Sequence, residues 1–310
     1  MNPTSSRRLR ILASLMVCFL GAAAGPQRPA SPRMLGGVSY VIRVGGAPAV
    51  GSGMAAAMSN QSPSYTANAV FAAGRGRLDV VEGGVESLFT KGDYVLFDST
   101  DLVIVHPATR EFVLLPQDAG SKRMDQLQAM GIKVTLSDVK VQMDSLPGTD
   151  TVAGRPTQHF RMTTAFTMGI GAGSMVQRLG TESVTDYWVA QVPGLPGNPL
   201  LRANGFAGAP VSSGMFKELS SRVDSAAARM GTAVALKTMT SSRLVQGPGS
   251  TLQMQQTSEV AGLRNQEVDE RLLVMPAGYS QGPAPGMERG QRTSSDAGAK
   301  WRARPQPMPR

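Results

Sequence analysis

Cysteine, histidine and aromatic residues are scarce in this sequence. Its 310 residues include one cysteine, two histidines and 5% aromatic residues. A single cysteine, Cys18, excludes an internal disulfide framework and a multi-cysteine metal site. Two histidines exclude a His-rich metal site and allow at most one Ser-His-acid triad per histidine. Disulfide-stapled scaffolds are therefore excluded.

The body of the chain has no net charge, although the whole chain carries +9. Residues 1–33 contain five arginines and no acidic residue, and residues 280–310 contain six basic and two acidic residues. The intervening residues 34–279 contain 20 residues of each sign. An overall basic balance suggests a nucleic-acid or membrane partner, but a neutral body does not support nucleic-acid binding.

Long apolar runs are also missing, except near the start of the chain. Arg7, Arg8 and Arg10 precede an apolar run over residues 11–20, which leads into small residues ending at Ala24. This run is too short for a transmembrane helix, which needs about 20 apolar residues. The pattern predicts a secretory signal peptide over residues 1–24 and an extracytoplasmic, periplasmic or secreted protein.

Two alternatives for export involve the same segment. Cys18 could be a lipidation site, although bulky Val17 precedes it and the apolar run continues beyond it. Ser6-Arg7-Arg8 resembles the start of a twin-arginine signal, but Arg10 stands where an apolar residue is expected. Cleavage after Ala24 removes Cys18, so we expect a mature protein without a disulfide or a reactive thiol.

Short strand patterns fill most of the chain. In SYVIRV apolar residues alternate with polar ones, and ANAVFAA, GRLDVVEG, DYVLFD, DLVIVH and EFVLLP follow between turn residues. Further candidates are IKVTLSDVKVQMDSL, TQHFRMTTAFTM, SMVQRLGTESV, TDYWVAQV, AVALKTMT and TLQMQQTSEV. Residues 45–64 are rich in Gly, Ala and Ser and predict a flexible loop. The order predicts an antiparallel meander.

Two helices interrupt these strands. A short helix is predicted over residues 122–130, and a longer one over residues 215–230 with a Ser212 or Ser213 cap and Gly231 at its end. Residues 25–36 form a predicted linker, and the predicted domain spans residues 37–279. Residues 280–310, rich in Gly and Pro, predict a disordered basic tail.

Four ordered segments carry a resemblance to a known family. They are GDYVLFDSTDLVIVHPATREFVLLP, TVAGRPTQHFRM, TDYWVAQVPGLPGNP and LLVMPAGY. Together they resemble a bacterial domain-of-unknown-function family allied to the periplasmic lipoprotein carriers LolA and LolB. The resemblance implies a mainly β (α+β) fold, a strongly curved antiparallel sheet that forms an incomplete β-barrel with two covering helices. It also implies a face that can hold an acyl chain.

Methionine is abundant, at 18 residues against nine phenylalanines. Flexible methionine side chains suit a groove that binds varied apolar shapes, and an ordinary methionine-filled core is the alternative. The apolar stripe of the second helix and two strands supply the candidate groove residues, which are Phe216, Leu219, Val223, Met230, Phe160, Met162 and Trp188.

Catalytic patterns are weak. His159 alternates with apolar neighbours, which predicts a position on a polar sheet face, and His106 precedes a proline turn. Asp98 with Asp101, and the acidic group at residues 267–270, occupy turn-like polar positions typical of solvated surface. Gly169, Gly171 and Gly173 lack the helix and acidic residue of a dinucleotide site. We predict no enzyme, no catalytic residue, no metal and no cofactor, with a hydrolase as a distant third possibility.

The sequence thus predicts a non-catalytic carrier for a hydrophobic small molecule or a lipid moiety. The alternative is an envelope sensor or interaction module whose same face binds a polypeptide, such as another envelope protein. The basic tail could contact an anionic lipid or cell-wall polymer, or it could be a solvated extension.

Overall fold

Thirteen strands in one sheet account for most of the described residues. The computed structural model describes residues 33–51, 64–85, 88–98, 101–116, 129–172, 175–195, 217–245 and 250–282. The strands are β1 (Met34–Gly51), β2 (Ser64–Ala72), β3 (Arg75–Val85), β4 (Phe89–Thr90), β5 (Tyr94–Phe97), β6 (Asp101–His106), β7 (Glu111–Pro116), β8 (Ile132–Val152), β9 (Arg155–Ala172), β10 (Met175–Ala190), β11 (Val234–Val245), β12 (Thr251–Asp269) and β13 (Ser280–Gln281). The fold is therefore mainly β, and its large curved sheet does not close.

Two antiparallel meanders are joined through the first and twelfth strands. The order across the sheet is β13-β7-β6-β5-β3-β2-β1-β12-β11-β10-β9-β8, and β4 pairs with β3. Only β13 pairs in parallel, with β7, among the described strands. The predicted antiparallel meander is confirmed. The pairing of β1 with β12 joins the two meanders over a long sequence distance and leaves β8 at one edge of the sheet.

The strand boundaries differ from the predicted ones in three places. Residues 45–51, predicted to be loop, continue β1, because pairing with β12 carries the ladder through Gly45 and Gly46. The segments SMVQRLGTESV and TDYWVAQV form one strand, β10. The sheet also extends beyond the predicted domain limits, since β1 begins at Met34 and β13 includes Ser280.

The helix α1 (Lys217–Ala227) connects β10 with β11 and continues as a 3-10 turn, Ala228–Met230. Gly231, with a φ of 61°, ends it as predicted. The predicted start of this helix at residues 212–216 lies outside the described residues. The helix predicted over residues 122–130 also lies outside the described residues, apart from residues 129 and 130. No helix in the described ranges is both long and apolar enough to cross a membrane.

Two apolar clusters pack on opposite faces of the short strands β5–β7. The main core contains Val95, Phe97 and Ile104 from these strands. The second cluster lies behind them and is covered by Met275 and Tyr279. Burial on both faces explains why YVLF, LVIV and FVLL are continuous apolar runs rather than alternating ones.

Candidate ligand-binding face

Cross-strand pairing divides the long strands into two faces. On one face Phe160 pairs with Tyr187, which pairs with Thr238, and the row continues through β12 to β1. We call this the core face, defined by Phe160, Tyr187, Thr238, Ser258 and Val44. The neighbouring row, on what we call the outer face, contains His159, Trp188, Lys237, Glu259 and Arg43.

The row that defines the core face is fully buried. All five of its side chains are excluded from solvent, including the polar Thr238 and Ser258. Burial raises the pKa of Tyr187 to about 12, since the anion would lose its hydration. This part of the face is a filled core and leaves no room for a ligand.

Further along the same strands the core face is only partly covered. Met162, two residues beyond Phe160, is half-buried against the core. Farther out, Phe166 in β9 and Leu244 in β11 are also half-buried, and Met254 in β12 is 40% exposed. These side chains leave accessible apolar surface on the core face, where a ligand could cover it.

A cleft of about 460 Å³ lies between α1 and the edge strand β8. This volume is within the range of small-molecule pockets, roughly 300 to 1,000 Å³, but the cleft is open to solvent and five of its eight lining residues are polar. Met143 lines the cleft and pairs with Met162, so the cleft adjoins the partly covered apolar surface. Its lining is Val141, Gln142, Met143, Ser221, Arg222, Ser225, Ala226 and Arg229.

Two arginines, Arg222 in α1 and Arg229 in the 3-10 turn that follows it, fix the helix to this edge. Arg222 Nη1 donates to the Val139 carbonyl at 3.0 Å, and Arg229 donates to the Met143 carbonyl. Arg222 Nη2 also donates to Glu218 Oε1 within the helix, at 2.8 Å. Because these bonds satisfy carbonyls on an edge strand, they both position α1 and protect the edge from unwanted pairing.

The structure places six of the seven predicted groove residues. Leu219 is buried, Val223 is half-buried, and Met230 packs against the core from the turn after α1. Phe160 and Met162 share the core face of β9, as their spacing predicts. Phe216 lies outside the described residues.

Trp188 lies on the outer face, opposite Phe160 and Met162, because it pairs directly with His159. The two rings stack at 4.5 Å, and Lys237 Nζ lies 4.9 Å from the indole centroid on the other side. Trp188 Nε1 donates to Asp150 Oδ2 at 2.7 Å. Trp188 is 9% exposed and belongs to the main core, but its ring also contacts this polar cluster, so its aromatic type alone did not indicate which face it occupies.

Both histidines contact carboxylates. His159 Nε2 lies 2.9 Å from Asp186 Oδ1, and Arg161 Nε donates to the same oxygen at 2.9 Å. The hydrogen bond to Asp186 raises the pKa of the Arg161 guanidinium. His106 Nδ1 lies 3.0 Å from Asp93 Oδ2. His159 is half-buried rather than fully solvated, so the expected surface histidine is part of an ion-pair cluster.

The acidic groups considered for catalysis shape turns. Asp98 Oδ1 accepts a hydrogen bond from the Asp101 amide at 2.9 Å. Asp269 accepts from the side chain of Arg271 and from its backbone amide, which lowers the pKa of the Asp269 carboxyl. In the described part of the chain, no group of three His, Cys, Asp or Glu side chains is placed to hold a metal ion.

Sequence reasoning missed a set of polar residues on the core face. Ser183 Oγ lies 3.0 Å from Ser242 Oγ, and Thr185 Oγ1 lies 3.1 Å from Thr240 Oγ1. The sequence does place Ser or Thr at every second position of two strands. Such a pattern predicts a solvent-exposed face as long as the register of the strands is unknown.

Neither a scan against protein-family models nor a search of curated proteins finds a match to this chain. The resemblance to the LolA and LolB carriers therefore stays a prediction.

Proposed function

We propose that the partly covered core face and the adjoining cleft bind an apolar ligand, a lipid or a lipidated molecule, without catalysis. The observation that carries this proposal is the accessible apolar surface around Met162 and Met254 beside a cleft of about 460 Å³. An acyl chain gains about 0.8 kcal/mol for each methylene buried there. Leu219, Val223 and Met230 would hold α1 over the ligand.

In this proposal the open sheet acts as an incomplete half-barrel of the LolA and LolB kind. Its two covering helices would be α1 and the helix predicted over residues 122–130. The protein would work outside the cytoplasm after removal of residues 1–24. Arg222 and Arg229 support this arrangement, because their bonds to β8 hold one side of α1 and leave the cleft beside it.

Two methionines provide a matched test of the binding face. Met254 on the core face and Met239 on the outer face are about equally exposed, at 40% and 43%. Fluorescence titration with cis-parinaric acid should give saturable binding to the wild type. Met254→Asp should weaken that binding at least tenfold, because a carboxylate is costly beside an acyl chain. Met239→Asp should leave it unchanged.

A polypeptide ligand is the second candidate, favoured by one observation. Among the described strands β8 pairs only with β9, so part of its outer edge could accept a strand from another protein. Absence of cis-parinaric acid binding by the wild type would reject the carrier proposal and favour this sensor or interaction module.

A further inference from the structure

A band of polar side chains crosses the core face between its filled part and its outer apolar part. In β10 the band contains Ser183 and Thr185, and in β11 it contains Thr240 and Ser242. Gln256 extends the band into β12, since it pairs with Thr240. All five residues are half-buried. Their polarity interrupts a face that is otherwise suited to apolar contacts.

The hydroxyls of this band have more hydrogens than their mutual bonds use. Ser183 and Ser242 share one hydrogen bond, which leaves one of their two hydroxyl hydrogens for another acceptor. Thr185 bonds both Thr240 and the buried Tyr187, so the hydrogen left over among these three hydroxyls can lie on Tyr187, outside the band. The band therefore offers one hydroxyl donor, from Ser183 or Ser242.

Gln256 adds an amide donor that the fold does not satisfy. Its Nε2 atom is buried and has no hydrogen-bond partner among the described residues. Burying an amide without an acceptor destabilises a folded protein, so such groups are rare and call for an explanation. An acceptor supplied by a bound ligand would satisfy the Gln256 amide, and its second lone pair can accept from a hydroxyl of the band.

We propose that this polar band donates hydrogen bonds to the carbonyl oxygen of an acyl linkage, so that the ligand is an ester- or amide-linked acyl compound. This inference rests on the proposed carrier function. The acyl chain would lie along Phe166 and Leu244, on the more exposed side of the band, and along Met254, which pairs with Ser242 at its end. A bare hydrocarbon fills the same apolar surface but brings no acceptor, and an ether lipid has no carbonyl oxygen at the position of the acyl carbon.

Two lipids that differ at one carbon test this inference. They are 1-monopalmitoylglycerol, which has an ester carbonyl, and 1-O-hexadecylglycerol, which has a methylene there. Each is titrated against bound cis-parinaric acid. We expect the ester to bind the wild type roughly 2- to 10-fold more tightly, as one net hydrogen bond allows. Palmitoylethanolamide in the same assay shows whether the amide linkage is preferred to the ester.

Gln256→Leu should abolish the preference for the ester and leave ether binding unchanged or stronger. Gln255→Leu is the matched control, since Gln255 is exposed on the outer face of the same strand. Thr240→Val provides a nearly isosteric second variant and should reduce the same preference. Equal affinity of the wild type for ester and ether overturns this inference but leaves the carrier proposal intact. Failure of both lipids and of cis-parinaric acid to bind overturns the carrier proposal, and the inference with it.

Discussion

Phe160 and Met162 lie two residues apart on the core face of β9. Alanine substitutions at these two positions distinguish the filled part of that face from the proposed binding surface. Phe160 is 8% exposed and contacts the main core. Replacing a buried phenylalanine by alanine costs about 3 to 5 kcal/mol in lost burial and cavity formation. We therefore expect Phe160→Ala to lower the unfolding free energy by this amount without selectively weakening ligand binding.

Met162→Ala should have the opposite profile. The Met162 side chain is half-buried, so its loss should cost about 1 to 2 kcal/mol, less than the 2 to 5 kcal/mol of a fully buried methionine. If an acyl chain covers its exposed half, the variant loses contact equivalent to one or two methylenes. At about 0.8 kcal/mol each, that is about a 4- to 15-fold loss of affinity.

Urea unfolding and cis-parinaric acid titration on both variants provide the two measurements. Each affinity is corrected for the unfolded fraction, which follows from the urea data. The reasoning is refuted if Met162→Ala binds the probe as the wild type does. It is also refuted if Phe160→Ala, once corrected, weakens binding as much as Met162→Ala.

Three further predictions concern the fold. Gly76→Ala should lower the unfolding free energy, measured by urea denaturation, by about 1 to 3 kcal/mol, because the new Cβ would lie 2.1 Å from the ring of Phe97. Gly36→Ala is the control and should be nearly neutral, since its new Cβ meets no atom within 4 Å. Burial raises the pKa of Tyr94 and Tyr187 to about 12, so unfolded tyrosine, with a pKa near 10, releases its proton first. The stability that these two side chains contribute should thus stay constant up to about pH 10 and fall between about pH 10 and 12, as urea unfolding at a series of pH values would show; no fall over that range would contradict their burial. Removing residues 283–310 should leave the thermal midpoint of unfolding unchanged. Removing residues 277–310 should lower it, because this deletion takes away β13, which pairs with β7, and Tyr279, which packs on the second cluster. Equal midpoints for the two truncated proteins would show that these contacts contribute nothing to stability.

Local patterns in the sequence carried most of the strand prediction. Alternation in SYVIRV and the continuous runs YVLF and LVIV identify strands because side-chain period and burial are local properties. The end of the second helix was predictable for the same reason, since Gly231 adopts a positive φ there. Gly45 and Gly46 were misleading, because their strand conformation comes from pairing with β12, more than 200 residues away in the chain.

The candidate site was less predictable because it depends on register. Phe160 and Met162 share a face by simple alternation, but the face of Trp188 depends on which residue of β9 it opposes. The polar band has the same dependence, since Thr185 and Thr240 contact each other only through the pairing of β10 with β11. The unsatisfied Gln256 amide is visible only once its surroundings are known.

Native mass spectrometry of the full protein purified from its own host is the most direct test of the carrier proposal. The proposal predicts a population heavier than the polypeptide by the mass of an acylated molecule, and extraction with chloroform and methanol should remove that excess and yield the lipid. A single species at the polypeptide mass, together with an empty organic extract, would contradict the proposal.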